Sequence, residues 1–297
     1  MLLDVAHRFH IVDVFAEERY AGNPLAVVRD AADLDTATMQ RIAREFGFSE
    51  TTFVVSDPQA SEPGVRVRIF TPAEEMPFAG HPTLGTAWVI REHLARGRPA
   101  ALPLALGVGR VPVAFEAAGE GELAWLEAPS VRLGATLEPA RIAPALGLAA
   151  TDLAADLPAR HVLAGIQFVH VPLASVAAVS KARLDPEACL PLAAAGFPTA
   201  LYWFAREGEG VLRARMQWFA RDDAARTVRE DPATGSAAAC LGAYLLAHGR
   251  PDFSLRIAQG VELGRPSLLR LEAKRGASGP RIRVGGRVIE VARGELL

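Results

Sequence analysis

Two stretches constrain this chain more than any other. Each opens with a loop carrying glycine and proline and continues into small and apolar residues with few charges. The first is Ala79-Gly-His-Pro-Thr-Leu-Gly-Thr-Ala-Trp-Val-Ile-Arg-Glu-His-Leu-Ala-Arg-Gly97. The second is Asp231-Pro-Ala-Thr-Gly-Ser-Ala-Ala-Ala-Cys-Leu-Gly-Ala-Tyr-Leu-Leu-Ala-His-Gly249. Pro82 suits the first position of a helix and Gly97 the residue past its end. Ser236 suits the cap of a second helix, which Gly249 ends. Helices are therefore predicted over Pro82–Arg96 and Ala237–His248. A helix that is apolar on most sides offers no face to water and is expected to be buried. Two such helices call for two sets of covering elements.

The flanking sequence supplies those elements as strands. His10–Phe15 and Leu25–Val28 are β-rich, and Gly22-Asn23-Pro24 between them predicts a hairpin. Asp35–Phe46 has Met39, Ile42, Ala43 and Phe46 at helical spacing, with Gly47 as its stop. Thr51–Val55 and Val65–Phe70 alternate as strands do, and Val111–Phe115 and Leu123–Leu126 close the first half. The second half predicts a short helix at Arg141–Leu148. Its strands are expected at His161–Leu173, Ala200–Phe204, Leu212–Phe219, Arg256–Gln259, Leu268–Ala273, Ile282–Val284 and Val288–Val291. The loop-to-helix theme thus occurs once in each half, as a weak internal repeat. At roughly 150 residues per domain, 297 residues suggest two domains. The boundaries are set at 1–128 and 129–297, and the last strand can cross back to the first domain. The positive ends of the two helices are expected to point toward a common cleft.

Composition narrows the function classes. With 50% hydrophobic and 22% charged residues, the chain can bury a core, so wholesale disorder is excluded. A net charge of −2, from 32 basic and 34 acidic residues, gives no general reason to bind nucleic acid or an anionic membrane. No apolar run approaches the roughly 18–20 residues that span a bilayer. Asp4, His7 and Arg8 stand where a signal peptide needs its apolar segment, so a cytoplasmic protein is expected. The only cysteines, Cys189 and Cys240, cannot build a disulfide framework or a cysteine-based zinc site.

Three titratable residues stand out. His81 sits at the start of the first apolar helix. It is either a turn histidine bonded to backbone or a group that moves a proton near neutral pH. Glu50 lies between Phe46, Phe48, Phe53, Val54 and Val55. It is either a solvated loop carboxylate or one whose desolvation raises its pKa into the general acid/base range. Asp231 precedes Pro232 in the second loop, where it can cap a turn, orient His81 or bind a substrate amine, and Glu230 beside it is an equal rival. Gly80–Thr86 has the glycine spacing of a phosphate loop without its lysine, so nucleotide binding is not expected. The other histidines, His7, His10, His93, His161, His170 and His248, lack HExxH or similar spacing. No tightly bound metal and no cofactor are therefore expected. Cys240 reads as a small core residue, and no GxSxG elbow occurs.

Taken together, several segments resemble the PhzF-like phenazine-biosynthesis family, whose fold is like that of diaminopimelate epimerase. They are Ala21-Gly-Asn-Pro-Leu-Ala-Val-Val28, Phe48-Ser-Glu-Thr-Thr-Phe-Val54, Arg68-Ile-Phe-Thr-Pro72, Phe78-Ala-Gly-His-Pro-Thr-Leu-Gly85, Glu230-Asp-Pro-Ala-Thr-Gly-Ser-Ala237 and Gln259-Gly-Val-Glu-Leu-Gly-Arg-Pro-Ser267. They occur in the family's order and span essentially the whole chain. The resemblance implies an α+β protein of two similar domains, each a β-barrel-like sheet around a central helix, with a cleft between them. It also implies an isomerase that moves a proton in a small carboxylated substrate without metal or cofactor, similar to trans-2,3-dihydro-3-hydroxyanthranilate isomerase. By resemblance, Glu50 is the general acid/base, and His81 and Asp231 hold and polarise the substrate. Asn23, Gly80, Gly235 and Ser236 match substrate-binding positions, and a homodimer is the expected assembly. Epimerases of this fold use two cysteine bases, one in each loop that leads into a central helix; here Ala79 stands at the first, and Asp231–Ser236 contains no cysteine. The charged stretch Phe219–Arg229 departs from expectation and bears on the cleft rim. Two other functions stay open: an epimerase or racemase using non-thiol bases such as Glu50 and Asp231, and a non-catalytic small-molecule binding protein.

Overall fold

The computed structural model describes residues 6–56, 64–119, 121–164, 166–277 and 279–297, so Asp4 lies outside the described residues. The chain divides into two compact units. One runs up to Glu127 and includes Gly285–Leu297; the other is Ala128–Val284.

In the first unit, β1 (His7–Val14) and β2 (Asn23–Val28) form the expected hairpin. Asn23 and Pro24 belong to β2, while Gly22, at φ 66°, makes the turn. α1 (Thr36–Phe46) begins where the Asp35 carboxylate accepts from the Thr38 N–H at 2.7 Å, and left-handed Gly47 ends it. β3 (Thr51–Val54), β4 (Val65–Phe70) and the short β5 (Glu75–Met76) lead into α2 (Gly80–His93). β6 (Ala101–Leu106), β7 (Gly109–Ala118) and β8 (Gly121–Glu127) follow, and the C-terminal strand β18 (Val288–Leu296) pairs antiparallel with β1. The hydrogen-bonded order is β18-β1-β2-β3-β4-β6-β7-β8, with β2–β3 and β4–β6 parallel and the rest antiparallel.

The second unit contains β9 (Arg132–Leu137), α3 (Pro139–Ile142), β10 (Ala159–Ala164), β11 (Ile166–Pro172), α4 (Val176–Lys181) and α5 (Pro186–Ala194). β12 (Leu201–Gly208), β13 (Val211–Trp218), β14 (Arg229–Glu230), α6 (Gly235–Ala247), β15 (Phe253–Gln259) and β16 (Ser267–Lys274) come next. β17 (Arg281–Gly286) ends the series and runs into the first unit. The strand order is β9-β10-β11-β12-β13-β15-β16, with β11–β12 and β13–β15 parallel and the rest antiparallel. This reproduces the orientation pattern of β18-β1-β2-β3-β4-β6-β7, with α2 and α6 at the same point in each series. The weak repeat seen in the sequence is therefore a repeat of topology.

Each apolar helix is buried among its own strands. α2 buries residues on every side, among them Leu84, Ala87, Val89 and Ile90, and α6 buries every residue from Ala237 to Leu246. One glycine in each helix permits the close approach. A Cβ on Gly85 would lie 2.7 Å from Leu25 Cδ2, and one on Gly242 would lie 2.9 Å from Ile282 Cγ2. Neither helix has a side-chain cap. A missing cap costs about 1 kcal/mol, whereas each large buried side chain contributes about 1.5–3 kcal/mol. Burial therefore holds these helices, and their first-turn N–H groups lack a capping side chain.

Several boundaries differ from expectation. α2 begins at Gly80 and ends at His93, two residues before Pro82 at one end and short of Arg96 at the other. Ser236 does not cap α6. Thr234 occupies the cap position and Ser236 lies inside the first turn. The helix expected over Arg141–Leu148 is broken at Pro144, which starts a separate 3-10 turn, Pro144–Leu146, because proline cannot donate the next helical hydrogen bond. The long strand expected at His161–Leu173 is the antiparallel pair β10 and β11.

Candidate active site

In the first unit, three elements converge on His81. Its position in the first turn of α2 leaves the ring 7% exposed, and burial pushes the imidazole down to about 3, so it is neutral near pH 7. Asn23, fully buried at the start of β2, donates from Nδ2 to His81 Nδ1 at 3.3 Å. A ring nitrogen that accepts carries no proton, so the neutral imidazole holds its hydrogen on Nε2. Nε2 lies 3.3 Å from Oε2 of Glu50, whose side chain is only 16% exposed. Glu50 directly precedes β3, in the short segment after the Gly47 cap of α1. Glu50, His81, Asn23 and, through the helix start, Gly80 thus form one cluster. Its components are a shielded carboxylate, a neutral imidazole whose Nε2 lies 3.3 Å from it, and main-chain N–H groups at a positive helix end.

In the second unit, Asp231 belongs to a tight polar turn before α6. Thr234 Oγ1 donates to Asp231 Oδ2 at 2.6 Å, and the Asp231 N–H donates to the Met216 carbonyl at 3.1 Å. Gln259, fully buried at the end of β15, pins the turn from behind. Its Nε2 donates to the Asp231 carbonyl at 2.8 Å and to Thr234 Oγ1 at 2.9 Å, and its Oε1 accepts from the Thr234 N–H at 3.2 Å. Gly235 and Ser236 follow as the first two residues of α6, both partly exposed. Burial, reinforced by the Asp231 charge, raises the pKa of the Tyr202 hydroxyl.

Glu230, the rival of Asp231, is bonded differently. Glu230 accepts a bidentate pair from buried Arg215 at 2.8 and 2.7 Å, and a further bond from Gln217 at 2.6 Å. Arg215 also donates to the carbonyls of Ser180 and Ala182 at the end of α4. Glu230 is thereby committed to the fold. Three of the charged residues of Phe219–Arg229 also have partners: Asp223 accepts from the N–H groups of Ala225 and Thr227, Arg226 pairs with Glu187, and Arg221 donates to the Phe197 carbonyl.

Sequence reasoning missed two buried residues that brace the second loop and the start of its helix. Gln259 was visible only as the first residue of a family-like segment. His170, on β11, is fully buried and pushed down to about 4 by burial; its Nε2 donates to the Ala237 carbonyl of α6 at 2.9 Å. No local pattern marks either residue, because each partner lies on a distant segment. The cysteines behave as expected of core residues, with burial pushing the thiols of Cys189 and Cys240 up to about 11 and about 12.

Comparison with known proteins completes the assignment. The family model for phenazine biosynthesis-like proteins, PhzC-PhzF, matches residues 12–294. An uncharacterized isomerase of Mesorhizobium japonicum is 38% identical, covering 96% of this chain and 97% of its own length. The trans-2,3-dihydro-3-hydroxyanthranilate isomerase of Pseudomonas aeruginosa is also 38% identical, with 93% of each chain covered. Among solved structures, a PhzF-family phenazine biosynthesis protein of Bacillus anthracis matches with a TM-score of 0.85 at 25% identity, covering 98% of this chain and 99% of its own. With the mixed fold of two similar units, each a strand-wrapped helix, these matches make the chain a member of the phenazine biosynthesis-like family, an isomerase on the diaminopimelate epimerase-like fold.

Proposed function

We propose that the protein shifts a proton within a small, carboxylated, conjugated substrate, with Glu50 as the single acid/base and no cofactor. The observation that carries this is the 3.3 Å approach of Glu50 Oε2 to the neutral, buried His81. Glu50 takes a proton from one substrate carbon, the electrons move along the conjugated system, and the same carboxyl returns the proton to another carbon. The exchange balances without oxidant or reductant. His81, with Nε2 beside that carboxylate, holds and polarises the substrate. Asp231 binds a polar or amino group of the substrate. Main-chain N–H groups at Gly80 and Gly235, with Ser236 and Asn23, take up the substrate carboxylate and its hydroxyl, since positive helix ends favour anions.

The chemistry of the Pseudomonas aeruginosa relative supports trans-2,3-dihydro-3-hydroxyanthranilate as the first compound to test. In D2O, one deuterium should enter the product at the new C–H position, and Glu50→Gln should abolish its incorporation. Deuterium incorporation with inversion at a single carbon would instead favour an epimerase. The balanced net charge supports a protein without nucleic-acid or membrane partners, and no described helix is long and apolar enough to cross a membrane. A cytoplasmic homodimer completes the proposal; light scattering should return twice the chain's mass.

A further inference from the structure

At the end of α2 away from His81, three side chains from distant parts of the sequence meet. His10 lies on β1, His93 is the last helical residue of α2, and Glu290 lies on β18. His10 Nδ1 is 2.7 Å from Oε1 of Glu290, and His93 Nε2 is 3.4 Å from the same oxygen. The two imidazoles stack with centroids 4.4 Å apart. One ligating atom of each residue lies within 4.8 Å of the other two. His10 is 4% exposed, and the buried His93 Nε2 makes no hydrogen bond among the described residues.

A backbone irregularity brings Glu290 to this cluster. β1 and β18 pair His10 with Arg293 and Ile11 with Ala292, but Val12 with Glu290. One residue of β18, Val291, is therefore bulged out. Without the bulge, Glu290 would stand opposite Asp13 and face the other side of the sheet. With it, Glu290 shares the face of Val12 and His10. Bulges that re-aim a side chain are features of sites rather than of plain sheets.

We propose that His10, His93 and Glu290 form a zinc site, separate from the Glu50–His81 cluster, that clasps the first and last strands of the first unit to the end of α2. Two imidazoles and a carboxylate are a zinc donor set, with a fourth position left to water. Tetrahedral ligands about 2.0–2.2 Å from zinc lie roughly 3.3 Å from one another; the two N···O spacings, 2.7 and 3.4 Å, bracket that value, and the two nitrogens lie within 4.8 Å of each other. The near-parallel rings, 22° apart, must fan open to share one ion; His93 lies on the last helical turn and is 22% exposed at its side chain. A cation there also meets the negative end of the α2 dipole. Of the nearby arginines, Arg29 pairs with Asp30, Arg19 donates to the Glu290 main-chain carbonyl, and Arg293, opposite His10 in register, is exposed.

The test uses the full chain, stripped of metal by a chelator and titrated with Zn2+ against a competing chromophoric chelator. One zinc per chain is expected. His93→Asn and Glu290→Gln, both at partly exposed positions, should each weaken binding by about 100-fold or more, while His81→Asn binds as the parent does. Zinc should raise the Tm of the parent by several degrees and leave that of His93→Asn unmoved, because only a ligand bound to the folded state stabilises it. Circular dichroism confirms that each variant is folded. Absence of stoichiometric binding by the folded parent, or equal binding by parent and both variants, overturns the proposal.

Discussion

Gly80-His81 opens α2 and Gly235-Ser236 opens α6, at the same point in a repeated order of strands. Around the start of α2, groups from three elements are gathered in trans: Asn23 from β2, Glu50 from the segment before β3, and His81 from the helix itself. Around the start of α6, a carboxylate is fixed within its own turn by Thr234 and from behind by Gln259. β12 holds the place in the second series that β3 holds in the first, and Ala200 precedes it where Glu50 precedes β3. The repeat thus duplicates the scaffold without duplicating Glu50. One shielded carboxylate suits the proposed shift, in which a single group removes and returns a proton. Two matched bases, one at each helix start, would suit inversion at a single carbon.

The sharpest way to break this comparison is to exchange the roles of the neighbouring acids Glu230 and Asp231. Glu230→Gln leaves Arg215, 2% exposed, without its counter-charge and should cost about 3–5 kcal/mol in urea unfolding. Asp231→Asn should stay within about 1 kcal/mol of the parent and lower kcat/KM instead. Equal unfolding losses in the two variants would erase the distinction between structural and functional acid.

Acid tests whether both helix starts depend on a neutral imidazole. His81 and His170 fall from the ordinary value of 6.5 to about 3 and about 4. Between those limits the unfolded chain binds protons that the folded chain refuses, so stability is complete above pH 6.5 and is lost as pH falls toward 4. His170 alone should account for about 3 kcal/mol across that window. Urea titrations from pH 7 to 4.5 should show His170→Gln flattening the slope by up to about 1.4 kcal/mol per pH unit. An unchanged slope would mean that this imidazole titrates normally.

Smaller effects sharpen the contrast in how the two helix starts are held. Gln259→Leu strands the Thr234 N–H and the Asp231 carbonyl and should cost about 1–3 kcal/mol. Its kcat should fall along with stability. Asn23→Leu removes the donor that fixes the His81 tautomer and should cost about 1 kcal/mol, with turnover reduced about tenfold. Thermal melts beside steady-state kinetics check both, and a Gln259→Leu variant with parental kinetics would detach Gln259 from the Asp231 turn.

Much of this architecture was legible in the sequence because its signals are local. The near absence of charge marks α2 and α6 as buried, and Asp35 and Gly47 mark both ends of α1. Helix starts were less legible. Pro82 and Ser236 suit first-turn or cap positions by residue type, yet the helices begin at Gly80 and Gly235. Helix α5 was missed although Asp185 and Pro186 form a cap and first-position pair. The bonds of Gln259 and His170 and the gathering of His10, His93 and Glu290 were not legible at all. They depend on strand register and, for Glu290, on one bulged residue that no spacing rule reveals.

The central claim is that Glu50 alone carries the proton. The direct measurement is turnover and solvent-deuterium incorporation for Glu50→Gln, beside a binding titration with the same compound, trans-2,3-dihydro-3-hydroxyanthranilate. Glutamine keeps the size of the side chain and part of its hydrogen bonding but cannot shuttle a proton. Binding should be retained, with turnover and deuterium incorporation reduced by about 10²–10⁴-fold or more. Parental deuterium incorporation by Glu50→Gln would contradict the claim and move the shuttle to another group, with Asp231 the first to examine.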